Sequence, residues 1–292
     1  MLTRIDHLVV PVPDLEQAAA AYERLGLVLT PRTVHEGMGT ANRAAFIGSD
    51  SSNFSYIELL GVMDREFVAG GARARYLAAA DAGGGLSTLA FGVDDMAGTV
   101  ALFEAAGMGV EVTEVRATDG RKVADAGVVS TDGVVPFGIA LLEYPETWSA
   151  RFERSRPAGR FAPTFGLKRL DHLAAFSAAL EADTALWVSL GATVVGEIPA
   201  PGMVIRQLKI GDAIFELLAA DGPESRLAGR PAGLASMAAW EVANGLEGAI
   251  GAARERGFTV SDAEVGVIPG TRRATVAAGE LGGLGMQLIE YV

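Results

Sequence analysis

The chain of 292 residues contains no cysteine. Disulfides, thiolate metal sites and a cysteine nucleophile are therefore excluded. Histidine is almost as scarce: there are three, His7, His35 and His172, and any imidazole chemistry must draw on them. Half of the residues are hydrophobic, enough for a sizeable core, yet no apolar stretch is long enough to span a bilayer. Basic charge is not in excess. The formal net charge of −12 argues against nucleic acid or an anionic membrane as a partner. The most arginine-rich stretch, Arg151-Phe152-Glu153-Arg154-Ser155-Arg156, is broken by an acid. The start, Met1-Leu2-Thr3-Arg4-Ile5-Asp6-His7, lacks a basic region followed by an apolar one, so no secretory signal is visible and a cytoplasmic location is expected. There is no glycine-rich phosphate loop, no Gly-x-Ser-x-Gly and no His-Glu-x-x-His.

What the chain does contain is a repeat. Arg4-Ile5-Asp6-His7-Leu8-Val9-Val10 returns as Arg169-Leu170-Asp171-His172-Leu173-Ala174-Ala175. Tyr56-Ile57-Glu58-Leu59-Leu60 returns as Ile214-Phe215-Glu216-Leu217-Leu218. Each half divides again into a strand, a helix closed by glycine, and three strands. The helices are expected at Leu15–Leu25, Met96–Ala106, Leu180–Leu190 and Leu246–Arg256, ended by Gly26, Gly107, Gly191 and Gly257. In the first quarter, strands are expected at Ile5–Val12 and near Leu27–Val34, Ala44–Ile47 and Phe54–Leu60. The fold class is α+β, with βαβββ modules at 1–62, 86–146, 167–221 and 233–292. The segment 147–166, rich in Arg, Pro, Gly and Ser, reads as a linker between two domains, 1–146 and 167–292.

Isolated charges are costly inside apolar strands. A lone strand histidine or glutamate is ordinarily a satisfied core or edge residue; recurrence in both halves gives these more weight. All four quarters end on a strand carrying a glutamate: Glu58, Glu143, Glu216 and Glu290. Ala140-Leu141-Leu142-Glu143-Tyr144 matches Gln287-Leu288-Ile289-Glu290-Tyr291. Strand side chains alternate between faces. If paired modules curl toward each other, His7, Glu58 and Glu143 converge in one cup and His172, Glu216 and Glu290 in a second. Imidazole with carboxylates suits Fe, Mn, Ni, Co or Zn as divalent ions, with positions left for water and substrate.

The pattern resembles the vicinal oxygen chelate superfamily, which includes glyoxalase I, methylmalonyl-CoA epimerase, extradiol dioxygenases and bleomycin-resistance proteins. The resemblance covers nearly the whole chain as two tandem glyoxalase-like domains with cupped mixed sheets. His35-Glu36-Gly37-Met38-Gly39-Thr40-Ala41-Asn42-Arg43, before Tyr56-Ile57-Glu58-Leu59-Leu60, is similar to glyoxalase-like proteins with an H-x-G-x-G-T-x-N loop. The third module, with Gly196-Glu197-Ile198-Pro199, resembles the epimerase branch. The resemblance implies four ligand positions per cup: His7, Glu58, Thr88 and Glu143 in one, His172, Glu216, Met237 and Glu290 in the other. Thr88 and Met237 depart from the usual His or Glu. Ring cleavage needs two histidines and a carboxylate on Fe(II), so it is disfavoured unless His35 joins His7.

The expected function is that of a metal-dependent lyase or isomerase acting on a small oxygenated substrate. The ion would polarise a carbonyl and stabilise an enediolate, while Glu58 or Glu143 moves a proton. His35, Thr40, Asn42 and Arg43 would line the cup mouth and bind substrate, and Arg121 could grip a carboxylate or phosphate. Trp187 is expected in the core, and Trp240 on the strand face opposite Met237. The alternatives are a metal-free binding or sequestration protein and, third, a ring-cleaving dioxygenase. The expected partner is a small molecule, and the chain a monomer or homodimer.

Overall fold

Four changes from alternating to helical periodicity dictate four modules, and the computed structural model, which describes residues 1–117 and 119–292, contains them. The first has β1 (Leu2–Val12), α1 (Leu15–Leu25), β2 (Thr33–His35), β3 (Thr40–Ile47) and β4 (Ser55–Val62). Two short helices follow, α2 (Arg65–Val68) and α3 (Ala74–Asp81). The second module has β5 (Thr88–Val93), α4 (Met96–Ala105), β6 (Val110–Arg116), β7 (Lys122–Val129) and β8 (Gly138–Glu143). After α5 (Trp148–Ser155), the third has β9 (Leu167–Phe176), α6 (Leu180–Ser189), β10 (Thr193–Ala200), β11 (Met203–Ile210) and β12 (Ala213–Ala219). The fourth has β13 (Gly233–Val242), α7 (Leu246–Glu255), β14 (Glu264–Val265), β15 (Thr271–Val276) and β16 (Gly285–Tyr291). Among the described residues no helix is long and apolar enough to cross a membrane.

The glycines expected to stop the four module helices all have positive φ: 102° at Gly26, 84° at Gly107, 114° at Gly191 and 80° at Gly257. That left-handed turn costs a side-chain-bearing residue energy, which is why glycine ends each helix. At the other end of α1, the Asp14 carboxylate accepts hydrogen bonds from the backbone N–H groups of Glu16 and Gln17 at 3.0 and 2.9 Å. Two features differ from expectation. Most of Leu27–Val34 is irregular, leaving only the short β2, and β3 begins at Thr40 instead of near Ala44. The segment 147–166 is not a bare linker: Trp148 and Phe152 of α5, with Phe161, pack on Phe54 at ring separations of 5.6, 5.8 and 5.3 Å.

Hydrogen bonding orders the strands into two mixed eight-stranded sheets, β2-β3-β4-β1-β5-β8-β7-β6 and β10-β11-β12-β9-β13-β16-β15-β14. The chain packs as two compact units, each drawing on both halves of the sequence. One comprises Met1–Asp6, Thr88–Thr147 and His172–Ala235. Its core includes Phe91, Phe137, Phe215 and Trp187, which is buried as expected. The other comprises His7–Ser87, Trp148–Asp171 and Ser236–Val292. Its core includes Trp240, Phe54 and Tyr22, whose hydroxyl donates to the Leu281 carbonyl at 3.2 Å.

In every module the first strand pairs in parallel with the last, and this register decides which residues are equivalent. His7 pairs with Tyr56 and Val9 with Glu58. Thr88 pairs with Gly138 and Ala90 with Ala140, so Ala140 occupies the position of Glu58 and Glu143 that of Gly61. Met237 pairs with Gly285 and Ala239 with Gln287, so Gln287 occupies the Glu58 position and Glu290 again that of Gly61. An offset of three residues reverses the face of the sheet. A Cβ on Gly61 would stand 3.0 Å from Cβ of Leu15, the first residue of α1. Glu143 accepts a hydrogen bond at 3.0 Å from the backbone N–H of Met96, the first residue of α4, and Glu290 one at 3.3 Å from that of Leu246, the first of α7. The expectation that Glu143 and Glu290 join the cups is thus corrected: both face helix N-termini, where a carboxylate satisfies an orphan donor and complements the helix dipole.

Two stability measurements follow. Glu143→Ala and Glu290→Ala should each cost about 0.5–2 kcal/mol in denaturant unfolding; no loss would contradict the capping role. Gly26→Ala and Gly107→Ala should each lose about 1–2 kcal/mol for the left-handed backbone. Gly26→Ala should lose roughly 1–3 kcal/mol more through overpacking, because its Cβ would lie 2.5 Å from Oγ1 of Thr164, whereas at Gly107 the nearest atom is 4.0 Å away.

Candidate functional site

The first module gathers its polar side chains on one face. Register places His7 and Val9 of β1 beside Tyr56 and Glu58 of β4, and Ala44 and Phe46 of β3 opposite Glu58 and Tyr56. The Glu58 carboxylate, buried at 9% exposure, is their focus. His7 Nε2 lies 3.3 Å from Oε2, His35 Nε2 lies 3.7 Å from Oε1, and the Asn42 amide donates to Oε1 at 2.5 Å. The His7 ring stacks on Tyr56 at 4.3 Å and 16°, and Tyr56 stacks on Phe46 at 4.8 Å and 26°.

His35 arrives by way of a tight hairpin. It pairs with Thr40, and Gly37 and Gly39 turn the chain between them with φ of 67° and 66°. The Gly39 carbonyl accepts from the N–H groups of Met63 and Asp64 at 2.8 and 3.0 Å, and a Cβ there would meet Phe67 and Val68 at 3.1 Å. The loop is thereby pinned against the start of α2. His35 Nδ1 is 2.8 Å from Thr40 Oγ1, which orients the ring so that Nε2 faces Glu58.

Burial alone would push the Glu58 carboxyl up. The hydrogen bond and charge of His7, the charge of His35 and the Asn42 amide outweigh it, and Glu58 is held below the usual carboxylate value. These partners favour the ionised form of Glu58.

Thr40 and Asn42 stand in β3 and support His35 and Glu58, not the rim of a loop. Arg43 alternates to the other face and is corrected as a substrate ligand. Its guanidinium donates to the Thr30 carbonyl at 3.0 Å and pairs with Glu16 at 3.3 Å and Glu23 at 2.5 Å, both on α1. Arg121 lies in an exposed turn, 3.7 Å from Glu146 and 3.9 Å from Asp119. Phe46, and the stacking of Tyr56 on His7, were not expected from the sequence, although alternation already puts Tyr56 on the face of Glu58. The available signal was the aromatic two residues before Glu58, on the same strand face.

The other modules keep less of this set. In the third, Ile214 pairs with His172 and Glu216 with Ala174, the register of His7 and Glu58. Glu216 accepts from Gln207 Nε2 at 2.9 Å. The hairpin, however, closes with Ala200 paired to Met203, where the first module pairs His35 with Thr40. In the fourth, Gln287 Nε2 approaches Met237 Sδ at 3.7 Å. In the second, the corresponding residues are Thr88 and Ala140.

Among the described residues no three His, Asp or Glu side chains are already arranged to hold a metal ion. In the first module the donors are gathered on Glu58 itself. Their chemistry nevertheless fits a divalent ion: two imidazoles and a carboxylate form a recognised catalytic set. In this structure the two imidazoles meet different oxygens of Glu58, His7 at 3.3 Å from Oε2 and His35 at 3.7 Å from Oε1.

A family model for the glyoxalase-like domain matches residues 5–168. No curated protein matches the chain. A mutant of 4-hydroxymandelate synthase from Streptomyces coelicolor is similar in structure, with 16% identity, TM-score 0.68, and coverage of 99% of this chain and 93% of that one. A hypothetical protein from Staphylococcus aureus has 13% identity, TM-score 0.64 and 98% coverage of both chains. A catechol 2,3-dioxygenase has 14% identity, TM-score 0.59, and coverage of 98% and 87%. At these identities the structural likeness establishes the fold, while the family match extends over more than half of the sequence. The chain belongs to the glyoxalase-like domain family.

Proposed function

We propose that this chain is a divalent-metal-dependent lyase or isomerase acting on a small oxygenated substrate, with His7, His35 and Glu58 as the metal-holding residues. The observation that supports it is the buried Glu58 carboxylate bracketed by two imidazole Nε2 atoms. An ion bound there would act as a Lewis acid on a substrate carbonyl. Tyr56 keeps the His7 ring in place by stacking, and Thr40 fixes the ring of His35. Asn42 holds one oxygen of Glu58. Three protein donors leave positions for two substrate oxygens.

The place of His35 favours a second reading. Two histidines and one carboxylate are also the donor set of non-haem iron(II) oxygenases, and two of the similar structures are a 4-hydroxymandelate synthase and a catechol 2,3-dioxygenase. Iron as the bound ion, with oxygen consumed in the presence of catechol or a 2-oxo acid, would replace the lyase or isomerase reading.

Elemental analysis of protein purified without chelator tests the shared premise. The wild type should carry close to one equivalent of a divalent transition metal. His7→Ala and His35→Ala should each reduce binding by at least about 10-fold, since such losses follow even from second-shell changes. Glu143→Ala, Glu290→Ala and His172→Ala should retain it. A metal-free wild type that takes up no ion on titration with Zn(II), Mn(II) or Fe(II) would overturn the proposal in favour of ligand sequestration.

A further inference from the structure

The two compact units are built from corresponding pieces, but their seams close differently. In one unit the turn before β16 meets α1 and the turn before β5. Tyr22 of α1 donates to the Leu281 carbonyl, and beside it backbone touches backbone. A Cβ on Gly84 would collide with the Gly282 carbonyl, and one on Gly283 with the backbone of Gly84. Only glycine permits that approach. Register makes Gly285 of β16 equivalent to Gly138 of β8, so Gly282 and Gly283 correspond to Val135 and Pro136. Counted from the first residues of α1 and α6, Tyr22 corresponds to Trp187 and Ala18 to Asp183.

In the other unit Val135 and Pro136 replace those glycines, and an open cavity of about 250 Å³ remains. Its walls include Val135 and Phe137 from the turn before β8, Trp187 of α6 and Leu217 of β12. Leu217 is adjacent to Glu216 in β12, so the cavity lies on the sheet face opposite Glu216 and His172. An apolar cavity of about 150 Å³ already holds benzene; this one has room for a ring and a short chain. Among the described residues that line it, Asp183 alone is charged. Asp183 lies in the first turn of α6, where the helix dipole favours its charge. The Ser177 hydroxyl donates to its Oδ2 at 2.5 Å, and among the described residues its Oδ1 accepts no hydrogen bond. Arg230, over the Phe176 ring at 3.8 Å, is exposed and is not part of the lining.

We propose that this cavity is a binding site for a small arylalkylamine, its hydrocarbon part against Val135, Phe137 and Leu217 and its ammonium group paired with Asp183. The apolar walls supply affinity without direction, and the single carboxylate selects a cation over its neutral and anionic analogues. The site does not depend on the proposed metal chemistry, because none of its lining residues belongs to the first module.

The test is calorimetric titration of the full-length protein with 2-phenylethylamine, 2-phenylethanol and 3-phenylpropionate. The amine should bind the wild type roughly 5- to 10-fold more tightly than the alcohol, as a partly exposed charge-assisted pair implies, and the acid should bind most weakly. Asp183→Asn should abolish the difference between amine and alcohol; both are measured on the same variant, so a change in its stability cancels. Ala232→Phe, which fills the cavity from its wall, should weaken amine and alcohol alike. His7→Ala should bind the amine as the wild type does, which separates this site from amine ligation by a metal ion. No binding at millimolar concentration, equal binding of amine and alcohol, preference for the acid, or an amine preference that survives in Asp183→Asn would overturn the inference. Loss of amine binding together with metal in His7→Ala would also overturn it and leave the metal proposal standing. A metal-free protein that keeps Asp183-dependent amine binding would do the reverse.

Discussion

A carboxylate buried between two imidazoles is the interaction around which the first module is built. Glu58 has lost most of its water, and an isolated charge there would be strongly unfavourable. His7, His35 and Asn42 offset that cost, each from a different stretch of chain. Parallel pairing of β1 with β4 puts His7 and Glu58 on one face. The glycine turn between β2 and β3 returns His35 to the same place, and α2 pins that turn through the Gly39 carbonyl. The site is therefore the product of one βαβββ module plus the helix that follows it.

The repeat carries two separate physical demands that share one residue type. Glu58 and Glu216 sit at the register position facing the polar side of their sheets. Glu143 and Glu290 sit three residues further along and accept hydrogen bonds from the first N–H of α4 and α7. A glutamate near the end of each last strand thus arises once from the needs of a site and once from the needs of a helix terminus. The third module retains the histidine and glutamate but ends its hairpin with Ala200, so the second imidazole has no counterpart there. The fourth has Met237 and Gln287, joined to each other by a weak amide-to-sulfur contact.

Periodicity made the module count, the four helices and their glycine stops readable, because these are local properties of the chain. The same holds for the alternation that separates Trp240 from Met237. Register is a long-range property, and there local likeness misled. The shared Leu-Leu-Glu-Tyr and Leu-Ile-Glu-Tyr endings suggested that Glu143 and Glu290 correspond to Glu58, whereas strand pairing places them on the opposite face. The polar run Thr40–Arg43 read as a loop, but it is strand, and the alternation that aims Asn42 at Glu58 aims Arg43 at α1. The packing of Phe161 on Phe54 was invisible for a related reason. Their meeting depends on how the segment after α5 folds back, which no spacing in the sequence encodes.

The scarcity of histidine makes the central claim directly observable. With three imidazoles in the chain, nitrogen-15 spectra of histidine-labelled protein can follow each ring as Zn(II) is added. Concerted shifts of His7 and His35 at one equivalent, with His172 unmoved, are the predicted result. Shifts of His172 with His7 while His35 stays unchanged, or no shift of any ring, would contradict a site contained in the first module.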